Sequence, residues 1–156
     1  MKGDVKLIAT LNMLLADELT AISQYMVHSE MCDNWGFERL HKKVEERAFQ
    51  EMKHAEKLIA RILFLEGTPQ VHKLNKMNIG ADVARQLSSD LQAEVGAVRA
   101  YNEAIHLADK VGDAPTRNLL EETLRDEDAH LDWLEAQHDQ IKQMGIELYL
   151  SLQAGE

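Results

Sequence analysis

The stretch Gly67-Thr68-Pro69-Gln70-Val71-His72-Lys73-Leu74-Asn75-Lys76-Met77-Asn78-Ile79-Gly80-Ala81 carries no helical period and is bounded by glycines. It lies between two long segments that do carry one. Extended at roughly 3.3 Å per residue, it reaches across about 40 Å, the length of a 27-residue helix. The spacing therefore predicts a long crossover, not a tight turn between antiparallel neighbours. On its upstream side, Leu40, Val44, Ala48, Ala55, Leu58, Ile62 and Leu65 make a 3.6-residue stripe from Phe37 to about Glu66, ended by Gly67 and Pro69. On its downstream side, a helix starts near Asp82, a suitable cap, and runs through Leu87, Leu91, Val98, Tyr101 and Ile105 to Gly112. Further out, Leu7, Leu11, Leu14, Ile22 and Tyr25 mark a first helix from about Val5 to the Cys32-Asp33-Asn34-Trp35-Gly36 break. Pro115, after Asp113, suits the first turn of a fourth helix carrying Leu119, Leu120, Leu124, Leu131 and Leu134. Gly145 closes it, and Ile146 to Leu152 form two further turns that need docking to be stable. The outer breaks are only a few residues long, so each outer pair is expected to be an antiparallel hairpin. The expected fold is an all-α four-helix bundle with one long crossover and a short C-terminal fifth helix, in a single domain over 1–156.

Composition agrees. Eight Gly and two Pro in 156 residues supply too little turn chemistry for a β-sandwich or barrel. A 45% apolar content suits one globular domain. The balance of 17 Lys and Arg against 27 Asp and Glu, net −10, disfavours phosphate backbones, so nucleic-acid binding is not expected and cations are the natural guests. A single cysteine, Cys32, forbids an intrachain disulfide and points to the cytoplasm. Apolar runs such as Met13 to Ala16 or Ile62 to Leu65 are far short of the ~20 residues of a membrane span, and Met1 to Asp4 lead straight into a helical pattern.

Acids interrupt the apolar stripes at repeated positions. Glu18 falls between Leu15 and Ile22 of the first helix, and Glu94 between Leu91 and Val98 of the third. The second and fourth helices carry Glu51 with His54 and Glu127 with His130, each pair at i, i+3 on one face. Glu18 and Glu94, Glu51 and Glu127, and His54 and His130 are each 76 residues apart, as are Leu11 and Leu87, Leu15 and Leu91, and Tyr25 and Tyr101. The two hairpins read as pseudo-symmetric halves of one bundle. One Glu from each of two helices and Glu-x-x-His from each of the others is the donor set of a carboxylate-bridged dinuclear metal centre, four carboxylates balancing two divalent ions. Oxygen and imidazole donors without thiolate favour iron or manganese, iron being preferred. A lone Glu-x-x-His arises by chance in many helices; here six positions share one repeat, with no Lys or Arg expected on the same stripe as an alternative partner. The remaining histidines, His28, His41, His72, His106 and His138, have no counterpart 76 residues away and read as surface or loop residues. Tyr25 and Tyr101 lie two turns beyond Glu18 and Glu94, either filling the core or hydrogen-bonding the carboxylates. Trp133, near His130, has the same two readings.

Met1-Lys2-Gly3-Asp4, Glu51-Met52-Lys53-His54-Ala55, Arg61-Ile62-Leu63-Phe64-Leu65-Glu66-Gly67 and Asp126-Glu127-Asp128-Ala129-His130, with Glu18 and Glu94 in step, resemble the bacterioferritins over essentially the whole chain. The resemblance implies a ferritin-like fold and a ferroxidase centre of Glu18, Glu51, His54, Glu94, Glu127 and His130. Fe(II) would be oxidised there by dioxygen or peroxide, and ferric mineral stored in a hollow twenty-four-subunit cage built from twofold dimers, alone or with a second ferritin subunit type. It also implies a haem b on the dimer twofold, ligated by Met52 of each subunit, with Leu19, Ser23, Met26 and Phe49 as pocket neighbours. A bacterioferritin-associated ferredoxin would feed electrons through the haem for iron release. Helical geometry agrees that Met52, about 100° from Glu51 and about 160° from His54, points away from the metal ligands. The sequence departs from some relatives in having Glu46 and Gln50 where they place His and Asp, and Leu58 where they place Tyr. A di-iron oxygenase or peroxidase that stores no iron is the competing class; the rubrerythrin-like version needs a thiolate iron domain that one Cys cannot build.

Overall fold

The chain forms α1 (Val5–Asn34), α2 (Glu38–Phe64), α3 (Val83–Lys110), α4 (Ala114–Met144) and α5 (Ile146–Gln153) in a computed structural model that describes residues 1–155. Three helices begin at an acid that satisfies a free backbone N–H. Asp4 accepts from Leu7 N at 2.9 Å, Asp82 from Arg85 N at 2.8 Å and Asp113 from Thr116 N at 3.0 Å. α1 runs past Cys32 into the expected break, because a positive φ is reached only at Gly36 (84°). α2 ends before Glu66, which itself adopts φ 62°.

α1 and α2, and α3 and α4, are antiparallel neighbours joined by short turns. The intervening crossover brings α3 back antiparallel to α1, so that Tyr25 of α1 meets Glu94 and Glu18 meets Tyr101. α2 and α4 are likewise antiparallel, tied near one end by Arg61 and Asp113 at 2.9 Å.

The crossover satisfies its backbone on a ladder of polar α1 side chains spaced at whole turns, Asn12 two turns before Thr20 and then Gln24 and His28 one turn apart. Asn12 bonds Thr68 O at 3.1 Å and Gln70 N at 2.8 Å, Thr20 Oγ1 accepts from Asn75 N, Gln24 Oε1 from Asn78 N, and His28 Nε2 from Gly80 N at 3.0 Å. Irregular backbone against a core needs such partners. His28 is therefore not a surface residue: it is fully buried, its Nδ1 2.9 Å from Asp90 Oδ1, which also accepts from Gln24. With Nε2 accepting from Gly80, Nδ1 carries the proton and donates to Asp90. His41 and His138 are half-buried, His41 against Ser29; His72 and His106 are exposed.

Two apolar clusters bracket the middle of the bundle. Leu7, Leu11, Leu14, Leu15, Leu58, Ile62 and Leu120 close one end; Leu40, Leu87, Leu134 and Tyr149 close the other. Each buried leucine contributes about 1.5–3 kcal/mol, which offsets the cost of the polar groups between the clusters. α5, too short to persist alone, is held by the buried Tyr149, whose hydroxyl donates to Gln137 Oε1 at 2.7 Å. Among the described residues no helix is long and apolar enough to cross a membrane.

Candidate metal centre

Mid-bundle, where the apolar stripes are interrupted, α1 supplies Glu18, α2 Glu51 and His54, α3 Glu94, and α4 Glu127 and His130, all buried. One donor atom each of Glu18, Glu51, His54 and Glu127 lie within 4.8 Å of one another. His54 Nδ1 sits 3.3 Å from Glu127 Oε1, 3.6 Å from Glu18 Oε2 and 3.7 Å from Glu51 Oε1. Of these atoms Glu18 Oε2, His54 Nδ1 and Glu127 Oε1 are buried with no hydrogen-bond partner, as is Glu94 Oε2, but Glu94 and His130 stand outside the group of four. The far nitrogen of His54, Nε2, is 2.9 Å from Asp126 Oδ2, which orients Nδ1 toward the carboxylates.

The tyrosines bond the carboxylates across the pseudo-twofold. Tyr25 donates to Glu94 Oε1 at 2.7 Å and Tyr101 to Glu18 Oε1 at 2.6 Å. Each thereby holds one carboxylate oxygen and leaves the other without a hydrogen-bond partner. Burial and the surrounding carboxylates raise both phenols well above their ordinary value, so they remain donors. His130 turns Nδ1 onto Glu94 Oε1 at 2.9 Å; its ring stacks on Trp133 and meets the Tyr25 edge.

Loss of hydration on burial, which disfavours the ionised form, pushes the carboxyls of Glu18, Glu51 and Glu127 above their ordinary range, and the neighbouring carboxylates add to it. Glu94 differs. Although burial acts upward on it too, Glu127, His130 and Arg47 together hold it at about 2.

Arg47 corrects the expectation that no cation shares the stripe. It lies one turn before Glu51, at i, i+4, so both side chains project into the same space. Its guanidinium is buried, 2.7 Å from Glu127 Oε2, 3.5 Å from Glu94 Oε1 and in contact with Glu51 Oε1. It also donates to Gln50 Oε1 at 3.1 Å. The Arg47/Glu51 spacing was the available signal in the sequence.

A cleft of about 390 Å³ between α1 and α3, beneath the crossover, reaches Glu18, Glu51 and Glu94 from outside. On the outer face of α2, Met52 and Phe49 are exposed and line one shallow depression; Met26 lines a separate one on α1 with Val27 and Met31. Leu19 and Ser23 are half-buried, Ser23 Oγ bonding Leu19 O. Within one chain these five residues do not form a closed pocket.

A ferritin-like domain signature matches residues 8–144. The chain is 43% identical to a bacterioferritin of Rhodobacter capsulatus and 42% to one of Brucella melitensis, each alignment covering 99% of this chain and 96% of the relative. The chain belongs to the bacterioferritin family. A bacterial ferritin of Paramagnetospirillum magnetotacticum is 39% identical, covering 100% of this chain and 96% of that protein. The two helical motifs that carry the bacterioferritin resemblance, Glu51 to Ala55 and Asp126 to His130, are the segments of α2 and α4 that meet at the buried carboxylates.

Proposed function

We propose that this chain is an iron-storage subunit. It oxidises Fe(II) to Fe(III) at Glu18, Glu51, His54, Glu94, Glu127 and His130, and deposits the product as mineral in a cytoplasmic twenty-four-subunit cage. The observation that carries this reading is the convergence of buried donor atoms without hydrogen-bond partners. Buried carboxylates left facing one another are costly, and two divalent ions match four of them in charge and in donor chemistry.

Fe(II) reaches the carboxylates through the α1/α3 cleft, whose lining includes Asp17, Glu18 and Glu51. Burial raises the carboxyls of Glu51 and Glu127, so each is less readily ionised in the metal-free chain and favours its charged form once a cation is beside it. His54, fixed by Asp126, presents Nδ1 to the carboxylates. Tyr25 and Tyr101 keep one oxygen of Glu94 and Glu18 engaged, which limits reorganisation when the charge at the centre rises. Two Fe(II) give one electron each, the pair that reduces dioxygen to hydrogen peroxide or peroxide to water.

The exposed thioether of Met52, directed away from the centre beside Phe49, would hold the iron of a haem shared with a second copy of the chain. Leu19, Ser23 and Met26 would complete that pocket across the twofold. When bound, the haem supplies a one-electron path for iron release, with a bacterioferritin-associated ferredoxin as donor.

The test is iron retained per chain after excess Fe(II) in air and desalting. Retention of tens of irons per chain is the expected result; about two would identify a dinuclear oxygenase-type centre without storage.

A further inference from the structure

The 76-residue repeat relates the two sides of the centre, yet the sides are not alike. On one, His54 Nδ1 faces Glu18 free of any hydrogen bond, and Asp126 holds the other nitrogen. On the other, His130 Nδ1 is spent on Glu94, and the residue equivalent to Asp126 is Gln50. Gln50 accepts from Arg47 instead. The equivalent of Arg47 is Thr123, whose hydroxyl bonds Leu119 O within its own helix. Arg47 is thus a one-sided insertion: its guanidinium touches the shared carboxylates Glu51 and Glu127 and reaches Glu94.

Charge balance limits how many ions the centre can hold beside this guanidinium. One divalent ion together with the guanidinium brings three positive charges to four carboxylates, a tolerable balance. Two ions and the guanidinium bring five, an excess that a buried site does not support. A way out exists, because a cleft of about 150 Å³ between α2 and α4 opens beside Arg47, where Glu46 and Asp126 supply two acids against the one ammonium of Lys43, which sits over the Trp133 ring.

We propose that Arg47 is a displaceable counter-ion occupying the Glu94/His130 side of the centre, so that cations bind in sequence. The first binds on the Glu18/His54 side, and the second only after the guanidinium swings into the α2/α4 cleft. This rests on the dinuclear reading above and adds order to it. Arg47 is a positioning residue, never a ligand.

The test is anaerobic titration of the full metal-free protein with Co(II) alone, following its visible absorption bands. In the wild type the second ion is expected to bind at least about tenfold more weakly than the first, the range of a typical coupling between sites. R47Q removes the charge but keeps a side chain able to hydrogen-bond, and is expected to abolish that gap while lowering the melting temperature of the metal-free protein. R47K keeps the charge but not the fork that spans Glu127 and Glu94, and is expected to fall between the two. Two equal sites in the wild type, or a tenfold gap unchanged in R47Q, overturns the role of Arg47 and leaves the dinuclear reading intact. Should R47Q not fold, R47M, which keeps an unbranched side chain without the charge, takes its place, and a gap as wide as that of the wild type overturns the role of Arg47 equally. Wild-type protein that takes up no Co(II) at Glu18, Glu51, His54 and Glu127, with the E51A titration unchanged, overturns the dinuclear reading itself.

Discussion

Asp126 touches no other carboxylate, yet its Oδ2, 2.9 Å from His54 Nε2, decides which nitrogen of that ring faces the centre. Such orienting partners are typically worth 10–100-fold in metal affinity. Asp126→Ala is therefore expected to weaken the first Co(II) ion by about 10–100-fold while the helical circular dichroism stays unchanged; wild-type affinity would show that His54 needs no orientation. Met52 is the reverse case, a residue between two inward-facing ones whose own side chain is exposed. Met52→Leu keeps its volume and apolarity but removes the sulfur, so haem absorbance per chain after reconstitution is expected to vanish. Unchanged haem content would remove Met52 from the ligand set. Both side chains show how far a one-residue step of about 100° separates roles on one helix.

At the scale of elements, what is short must be tied down. α4 begins at Asp113, whose carboxylate accepts from Thr116 N and Thr116 Oγ1 and pairs with Arg61 of α2. Although burial pushes it upward, those bonds hold its carboxyl below the ordinary 3.8. A carboxyl depressed in the folded state contributes stability that is full above the unfolded value and lost as pH falls through the folded one. Asp113→Ala is accordingly expected to cost about 1–2 kcal/mol near neutral pH, and the difference in melting temperature from wild type should narrow below pH 3.8. A difference that stays constant down to pH 3 would assign the loss to packing instead. The crossover obeys the same logic with different chemistry: it borrows Asn12, Thr20, Gln24 and His28 from α1 in place of a helix of its own.

In the whole molecule, stability and function oppose each other at one place. Four buried carboxylates and one arginine sit between two leucine-rich clusters, and on the proposed function metal bound by the folded chain would relieve the repulsion. Co(II) at a hundred times its dissociation constant is expected to stabilise the fold by about 2.7 kcal/mol, seen as a rise in melting temperature that a chelator reverses. No rise would mean that the donors do not act together. Much of this was legible in the sequence by itself. The stripes around Leu58 and Leu87 give the helices, the length of 67–81 gives the crossover, and the 76-residue repeat singles out six Glu and His side chains that are all buried, because periodicity and spacing report what each residue meets along its own helix. The burial of Arg47 and His28 was decided only by tertiary structure. A charged or polar side chain enters a core when other helices bring its partners, here Glu94 and Glu127 to Arg47 and Asp90 to His28. That is a pairwise property of distant segments: the Arg47/Glu51 spacing puts both side chains on one face of α2 but does not record the partners that α3 and α4 bring.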